Sequence, residues 1–423
     1  MKLQKILARL QKLHPKEIDL SLKRIQKLCK KLGDPQDNLN CISVVGTNGK
    51  YSTIQAIRAI LNEANINYNI YTSPHIQKIN ERFVFNNNEI DDNELAELLA
   101  EVESINNKDE ITFFEILTAA FFYGAKKYSK NITIVESGLF HRFDATNILK
   151  KNLATLITSI GLDHLDWLPK NEQTIEKIIY EKTSNLLNSS IIVSKQSSND
   201  ILEKIKKSIK ENKSKKIIFN NEFSYSINEN NFFYFEDKFG GIKLPYPNIE
   251  GKFQLDNIAT AIATVRSLKL NVNEEKIKKA ITKIKTVGRL QEIKKGKLKD
   301  LAKKNKLLLD GSHNPLGAKV LVDYLDTLNC QKHLILGMMS NKDHQNYIRY
   351  FNKKINSLTI VDIPNQKNSM KRNILKNKLK LDGIEIQSKP SIEEAINSLA
   401  LKKDEIILIT GSLYLAGEVL NLN

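Results

Sequence analysis

The apolar run Cys41-Ile-Ser-Val-Val45 ends on Gly46-Thr-Asn-Gly-Lys50, and apolar residues at helical spacing follow from Ser52 to Ala64. A short, continuously apolar run closed by a glycine turn reads as a buried strand, and a helix leaving its carboxyl end covers one face of a parallel sheet. The chain repeats this alternation. Strand-like Tyr68–Tyr71, Asn131–Val135 and Thr155–Ile160 flank a helical stretch from Phe114 to Lys127. Residues 1–31 carry helical spacing broken at Leu13-His-Pro-Lys16, and the Lys- and Asn-rich stretch 197–215 keeps the spacing of an exposed helix. Strands alternating with helices predict a parallel sheet covered on both faces.

Residues 217–250 interrupt the rhythm with Phe232-Phe-Tyr-Phe235, Gly240-Gly241 and two prolines, the composition of short strands and turns. A helix resumes over Gln254–Leu268. After the basic connector Lys285–Gln291 come strand-like Lys306–Leu309, His333–Leu336, Ser357–Val361 and Glu405–Thr410, with helical stretches between them. At 423 residues the chain exceeds one ordinary core. The expected fold is α/β. It comprises an N-terminal P-loop ATPase-type domain over 1–287, with a mostly parallel sheet and a small β-rich appendage, and a C-terminal Rossmann-like α/β domain over 288–423.

Composition narrows the classes. A 41% hydrophobic content supports packed interiors. No stretch reaches the roughly 18–20 apolar residues of a membrane helix, and Met1-Lys-Leu-Gln-Lys5 lacks the apolar core of a secretion signal. A cytoplasmic location with no membrane partner is expected. Cys29, Cys41 and Cys330 are scattered, suit a reducing compartment and offer no metal-ligand spacing. The net charge of +17 is spread along the chain, as in Lys204-Ile-Lys-Lys-Ser-Ile-Lys-Glu-Asn-Lys213, and no nucleic-acid motif accompanies it. Solvated helix faces account for it, with attraction of anionic substrates as a by-product.

Gly46-Thr47-Asn48-Gly49-Lys50 lies where a phosphate-binding loop belongs, between strand and helix. Glycines let backbone N–H groups curl round phosphate oxygens, the helix presents its positive end, and the lysine neutralises charge. The loop is shorter than the standard G-x4-G-K-[S/T] pattern, and Tyr51 follows where a small residue is usual. That side chain either turns outward or crowds the phosphates.

From this loop onward the sequence resembles the dihydrofolate synthase/folylpolyglutamate synthase branch of the Mur-ligase superfamily, in order and over nearly the whole chain. The matching segments begin with Ile18-Asp19-Leu20, Ser73-Pro74-His75, Asn80-Glu81-Arg82 and Thr112-Phe113-Phe114-Glu115. They continue with Glu136-x-Gly138-Leu139-x-x-Arg142-x-Asp144-Ala145-Thr146-Asn147, Asp163-His164-x-Asp166 and Glu181-Lys182. Gly288-Arg289, Asp310-Gly-Ser-His313-Asn314-Pro315 and Gly411-Ser-Leu-Tyr-Leu-Ala-Gly417-Glu418 complete the series.

The resemblance implies an ATP-dependent carboxylate–amine ligase. ATP phosphorylates a carboxylate to an acyl phosphate, which the amine of L-glutamate attacks. It implies ATP contacts from Thr47, Asn48, Gly49, Lys50, Asn257, Arg289 and Asp310. It places two magnesium ions near Ser73, Glu136 and His164, with Lys182 as a carbamylated ligand, and it assigns catalytic roles to Lys50, Lys182 and His313. Dihydropteroate falls to Ile18, Asp19, Leu20, Thr112, Phe113, Phe114, Glu115, Phe143, Asp144 and Ala145. An aromatic face such as Phe114 and a carboxylate such as Asp144 suit a flat pterin. A monomer acting on small molecules, without nucleic acid, is implied.

Departures concentrate at glycines: Tyr51, Phe140-His141 and Pro169 stand where the family has glycine, and Thr183-Ser-Asn185 replaces Ala-Gly-Ile after the lysine. Every polar position is retained. A bifunctional synthase is therefore expected, over an enzyme extending folates only, a peptidoglycan-precursor ligase, or an inactive nucleotide-binding paralogue.

Overall fold

A computed structural model describes residues 2–16, 19–228 and 232–423. Contacts divide the chain into two compact units, one of Met1–Ile160, Thr174–Asn248 and Asp256–Ile284, the other of Gly161–Gln173, Ile249–Leu255 and Lys285–Asn423.

The first unit is built on an eight-stranded sheet. Its strands are β1 (Asn40–Val45), β2 (Tyr68–Tyr71), β3 (Phe83–Phe85), β4 (Asn88–Glu89), β5 (Ile132–Glu136), β6 (Ala154–Ile157), β7 (Ser190–Val193) and β8 (Lys215–Ile218). They lie in the order β4-β3-β2-β5-β1-β6-β7-β8. The six strands from β2 to β8 in that order are parallel, whereas β3 and β4 add an antiparallel edge. β1 sits between β5 and β6, and the chain leaves it toward one edge and later returns to its other side. The carboxyl end of β1 is thus the crevice where α/β sheets bind ligands.

On one side of this sheet the helices Lys2–Leu10, Lys23–Lys31, Asp92–Asn106 and Phe113–Ala125 close a core with Tyr71, Phe83 and Phe121 at its centre. The Tyr71 and Phe121 rings stack 5.0 Å apart. The β-rich stretch forms a three-stranded antiparallel sheet of β9 (Phe223–Ile227), β10 (Phe233–Asp237) and β11 (Gly240–Leu244).

The second unit carries a six-stranded sheet in the order β12-β13-β17-β14-β15-β16. Its strands are β12 (Gln291–Glu292), β13 (Lys306–Leu309), β14 (Lys332–Leu336), β15 (Ser357–Val361), β16 (Ile386–Lys389) and β17 (Ile406–Thr410), parallel except for β12. Alternate residues feed two cores: Leu308, Leu334 and Leu408 on one face, and Leu307, Ile335 and Ile407 on the other. That two-sided burial explains why these strands read as continuous apolar runs.

The α/β class, the mostly parallel first sheet, the β-rich insertion and the second α/β body all agree with the sequence reading. The strands β3, β4, β7, β8 and β16 were not legible. They are two to four residues long, and edge strand β8 opens with Lys215 and Lys216. Among the described residues no helix is long and apolar enough to cross a membrane.

Candidate active site

β1 delivers the chain into the glycine loop. Gly46 has φ 152° and Gly49 φ 87°. A side chain on Gly46 would collide with Thr158, and one on Gly49 with the Asn257 amide. Both positions therefore need glycine, for conformation and for space. The N–H groups of Thr47 and Asn48 donate to the Ser159 carbonyl at 2.9 and 3.1 Å, tying the loop to the segment after β6. Gly49 caps the helix Lys50–Glu63, whose amino end points its unsatisfied N–H groups at the loop. Asn257, on the helix Phe253–Ser267, accepts from the Thr53 hydroxyl at 3.4 Å through its side-chain oxygen. Tyr51 is half-buried on the first turn.

Two lysines converge on this loop. Lys50 Nζ donates to the carbonyls of Gly46 (3.2 Å) and Thr47 (3.3 Å). Lys182 Nζ, on the helix Ile175–Thr183, donates to Gly46 (3.0 Å) and Leu139 (2.9 Å). Glu136, the last residue of β5 and buried, lies 4.0 Å from Lys50 Nζ through one oxygen. Its other oxygen accepts the Ser73 N–H at 3.1 Å. Four of the expected phosphate and metal residues thus meet at the carboxyl ends of β1 and β5. Among the described residues no group of three or more His, Cys, Asp or Glu side chains could hold a metal ion. The Glu136 carboxylate and Ser73 hydroxyl are nevertheless hard oxygen donors, a set that suits magnesium when water and phosphate oxygens complete the shell.

Phe140 and His141 lie close to Lys182. Its ammonium lies 5.6 Å from the centre of the buried Phe140 ring. His141 is 2% exposed, its Nδ1 3.1 Å from the Ser137 hydroxyl. Burial, reinforced by the Lys182 charge, pushes His141 down to about 3. It is neutral at physiological pH.

On the acceptor side, Thr112 and Glu115 cap the helix Phe113–Ala125 reciprocally, the capping-box arrangement. Phe113 and Phe114 pack on the first unit's core. The Phe114 ring edge lies 3.1 Å, and an Asp144 oxygen 3.3 Å, from where a Cβ on Gly138 would sit. The edge of an aromatic ring and a carboxylate therefore converge on a glycine. One Asp144 oxygen accepts the N–H groups of Gly138 and Leu139, and the other accepts the Thr146 N–H and hydroxyl. Burial raises its pKa against these donors. Phe143 is 36% exposed, with the Arg142 guanidinium 4.3 Å above its ring, and Ala145 is buried beside it. Asp19 and Leu20 are half-buried. Ile18 lies outside the described residues.

In the second unit, Asp310 follows β13 and accepts the N–H groups of Leu290 (2.7 Å) and Ser312 (2.8 Å). Burial raises its pKa, opposed by the Arg289 charge. Arg289 donates to the Gly288 carbonyl at 3.1 Å. The Nδ1 of His313 lies 3.1 Å from the Gly311 carbonyl and its Nε2 3.4 Å from Asp163. His164, in the left-handed region at φ 57°, donates its N–H to the same Asp163 at 2.8 Å. Asp163 also accepts from Lys342 (2.8 Å) and Asn314 (2.9 Å). Burial alone would raise its pKa, but His164, His313 and Lys342 hold it well below the usual carboxylate range.

The site residues thus fall into two sets, each coherent within its own unit. Lys50, Ser73, Glu136, Lys182, Asn257 and the described residues expected to hold dihydropteroate belong to the first, and His164, Arg289, Asp310 and His313 to the second. Sequence reasoning gave no role to Asp163, Lys342 or Arg24, which organise these sets. Lys342 had one available signal, its place just past the carboxyl end of β14. Arg24 had none, because its partner Glu115 is 91 residues away.

Residues 291–422 match a family model described as the C-terminal domain of dihydrofolate synthetase. The chain is 28% identical over 433 residues to the dihydrofolate synthase/folylpolyglutamate synthase of Haemophilus influenzae, covering 97% of this chain and 95% of that one. It superposes on E. coli FolC in complex with DHPP and ADP with TM-score 0.86 and 26% identity, covering 99% and 97% of the two chains. A bifunctional folylpolyglutamate synthase/dihydrofolate synthase with Mn, AMPPNP and L-glutamate bound has the same fold, with TM-score 0.85, 24% identity and 99% and 97% coverage.

Proposed function

We infer that the chain is a member of the dihydrofolate synthase/folylpolyglutamate synthase family and an ATP-dependent ligase joining L-glutamate to dihydropteroate and to folates. One observation carries the reading. The phosphate loop, two lysines and a buried carboxylate meet at the end of β1 and β5, and Phe114 and Asp144 pack against Gly138, two residues after β5.

A carboxylate resists attack by an amine until it carries a leaving group, so the γ-phosphoryl of ATP is transferred to the acceptor carboxylate first. The amino end of the helix that Gly49 opens, together with Lys50, holds the transferring phosphoryl where charge spreads over its oxygens. The amine of glutamate then attacks the acyl phosphate carbonyl, forming the C–N bond. The tetrahedral intermediate expels inorganic phosphate, and the amine proton leaves to solvent or a nearby base. Asn257 offers an amide that both donates and accepts, as an adenine edge requires. His313, Arg289 and Asp310 are the second unit's groups for glutamate and nucleotide.

ATP is the co-substrate and a divalent metal the cofactor. Ser73 and Glu136 would hold magnesium at the phosphates, and His164 a second ion. Such ions neutralise phosphate charge during transfer. Lys182, if carbamylated, would add a further oxygen ligand. The protein is read as a monomer serving small molecules in the cytoplasm.

The test is ADP release by purified protein with ATP, magnesium and L-glutamate, comparing dihydropteroate and tetrahydrofolate as acceptors. Turnover with both is expected. Turnover with tetrahydrofolate alone would reduce the reading to folate extension, and release that ignores glutamate would overturn it.

A further inference from the structure

We propose that Arg24 is the positioning residue of the acceptor pocket, one guanidinium that locks the Asp19–Leu20 loop to the amino end of the helix carrying Phe114. Its Nη1 donates to the Asp19 carboxylate at 2.7 Å and its Nη2 to the Asp19 carbonyl at 2.7 Å. The same Nη2 reaches one Glu115 oxygen at 3.1 Å, while Nε donates to the other at 3.0 Å. Two segments 91 residues apart are therefore held by one planar fork. Lysine, a point charge with rotatable donors, cannot reproduce that geometry.

The lock continues on both sides. Glu115 is 4% exposed, and the oxygen that accepts Arg24 Nε also accepts the Thr112 N–H at 2.8 Å. The Thr112 hydroxyl in turn accepts the Glu115 N–H, completing the cap from which Phe113 and Phe114 enter the helix. On the loop side, Asp19 lies 3.6 Å from Nε2 of the buried His14, which also faces Glu110 at 3.2 Å. Both Glu115 oxygens are thus committed to the scaffold. Its part in acceptor recognition is to fix the start of the helix, and through it the plane of the Phe114 ring beside Gly138 and Asp144. Arg24 acts through these groups on a flat heteroaromatic carboxylic acid, a pteroate.

The proposal rests on the ligase reading above, and its experiment separates the two. Dihydropteroate binding to the full chain is measured by calorimetry for the wild type, Arg24→Met and Arg24→Lys, alongside melting temperature and the KM values for dihydropteroate, ATP and glutamate. Both variants should weaken dihydropteroate binding, Arg24→Met by about tenfold or more, the scale of one lost charge-assisted hydrogen bond. Arg24→Lys should recover part of that loss. The KM values for ATP and glutamate should stay within about twofold, less than 0.5 kcal/mol by the same conversion. Unchanged dihydropteroate affinity in either folded variant, or equal shifts in all three KM values, overturns the role of Arg24 and leaves the ligase reading standing. A wild type that binds no dihydropteroate overturns both. If Arg24→Met does not fold, Arg24→Lys decides on the same criteria.

Discussion

The ammonium of Lys182 donates to the carbonyl oxygen of Gly46 across 3.0 Å. A helix otherwise remote in sequence is thereby anchored to the first residue of the phosphate loop. Lys50 reaches the same carbonyl at 3.2 Å, so two cations share one acceptor where anionic phosphate would relieve their repulsion.

Carbamylation of Lys182 would replace an ammonium, which donates to two carbonyls, by a group with one N–H and two acceptor oxygens. We expect ADP release to fall in CO2-depleted buffer and to recover with bicarbonate, and Lys182→Met to lose the bicarbonate response. Equal turnover with and without CO2 in the wild type would assign Lys182 to the scaffold alone.

Removing the loop cation should be severe for the chemical step. Lys50→Ala is expected to lower kcat about 100-fold or more, the scale of losing one preorganised charge-stabilising donor. Its fold should persist, because Lys50 donates its hydrogen bonds to loop carbonyls and meets Glu136 only at 4.0 Å. Steady-state ADP release together with circular dichroism checks both halves.

Asp144 accepts four hydrogen bonds from its own loop. Asp144→Ala should therefore loosen the wall opposite Phe114 and impair the dihydropteroate reaction far more than glutamate addition to tetrahydrofolate. Side-by-side acceptor kinetics test this, and equal losses would remove Asp144 from the pterin pocket.

His141 sets a pH dependence with a definite sign. Its pKa in the folded protein is pushed down to about 3 from an ordinary 6.5. Between those values the unfolded chain binds a proton that the folded protein does not, so stability falls as pH drops below 6.5 and is unaffected above it. The limiting slope is about 1.4 kcal/mol per pH unit. His141→Gln should flatten melting temperature against pH in this window. His75, pushed down to about 4, contributes in the same direction and remains in the variant. An unchanged slope would show that His141 is not shielded from protons.

Asp163 collects Lys342, Asn314 and the two histidines within the second unit. Lys342→Met leaves this buried carboxylate without its closest cation and should cost ~3 kcal/mol of unfolding free energy. Asp163→Asn combined with Lys342→Met should recover part of that loss, since the uncompensated charge is gone. Urea unfolding of the wild type and the two variants measures it.

Much of this protein is set by local sequence. Cys41–Val45 had to be a buried strand, Gly46-Thr-Asn-Gly49 a turn, and Ser52–Ala64 a helix, because apolar period and the turn preference of glycine act over a few residues. Both sheets and the antiparallel insertion followed from the same rule, while several strands of two to four residues escaped it. The ordered motifs named the chemistry, but not which atoms meet. The convergence of Lys182 and Lys50 on Gly46, the commitment of Asp144 and Glu115 to their own loops, and the grouping of His164 with His313 on Asp163 are properties of tertiary structure. Each joins residues tens to more than a hundred positions apart, or saturates a carboxylate with donors that no spacing reveals. Hydrogen-bond partners are chosen by the packed fold, because a buried charge must find its donors wherever the sheets and helices place them.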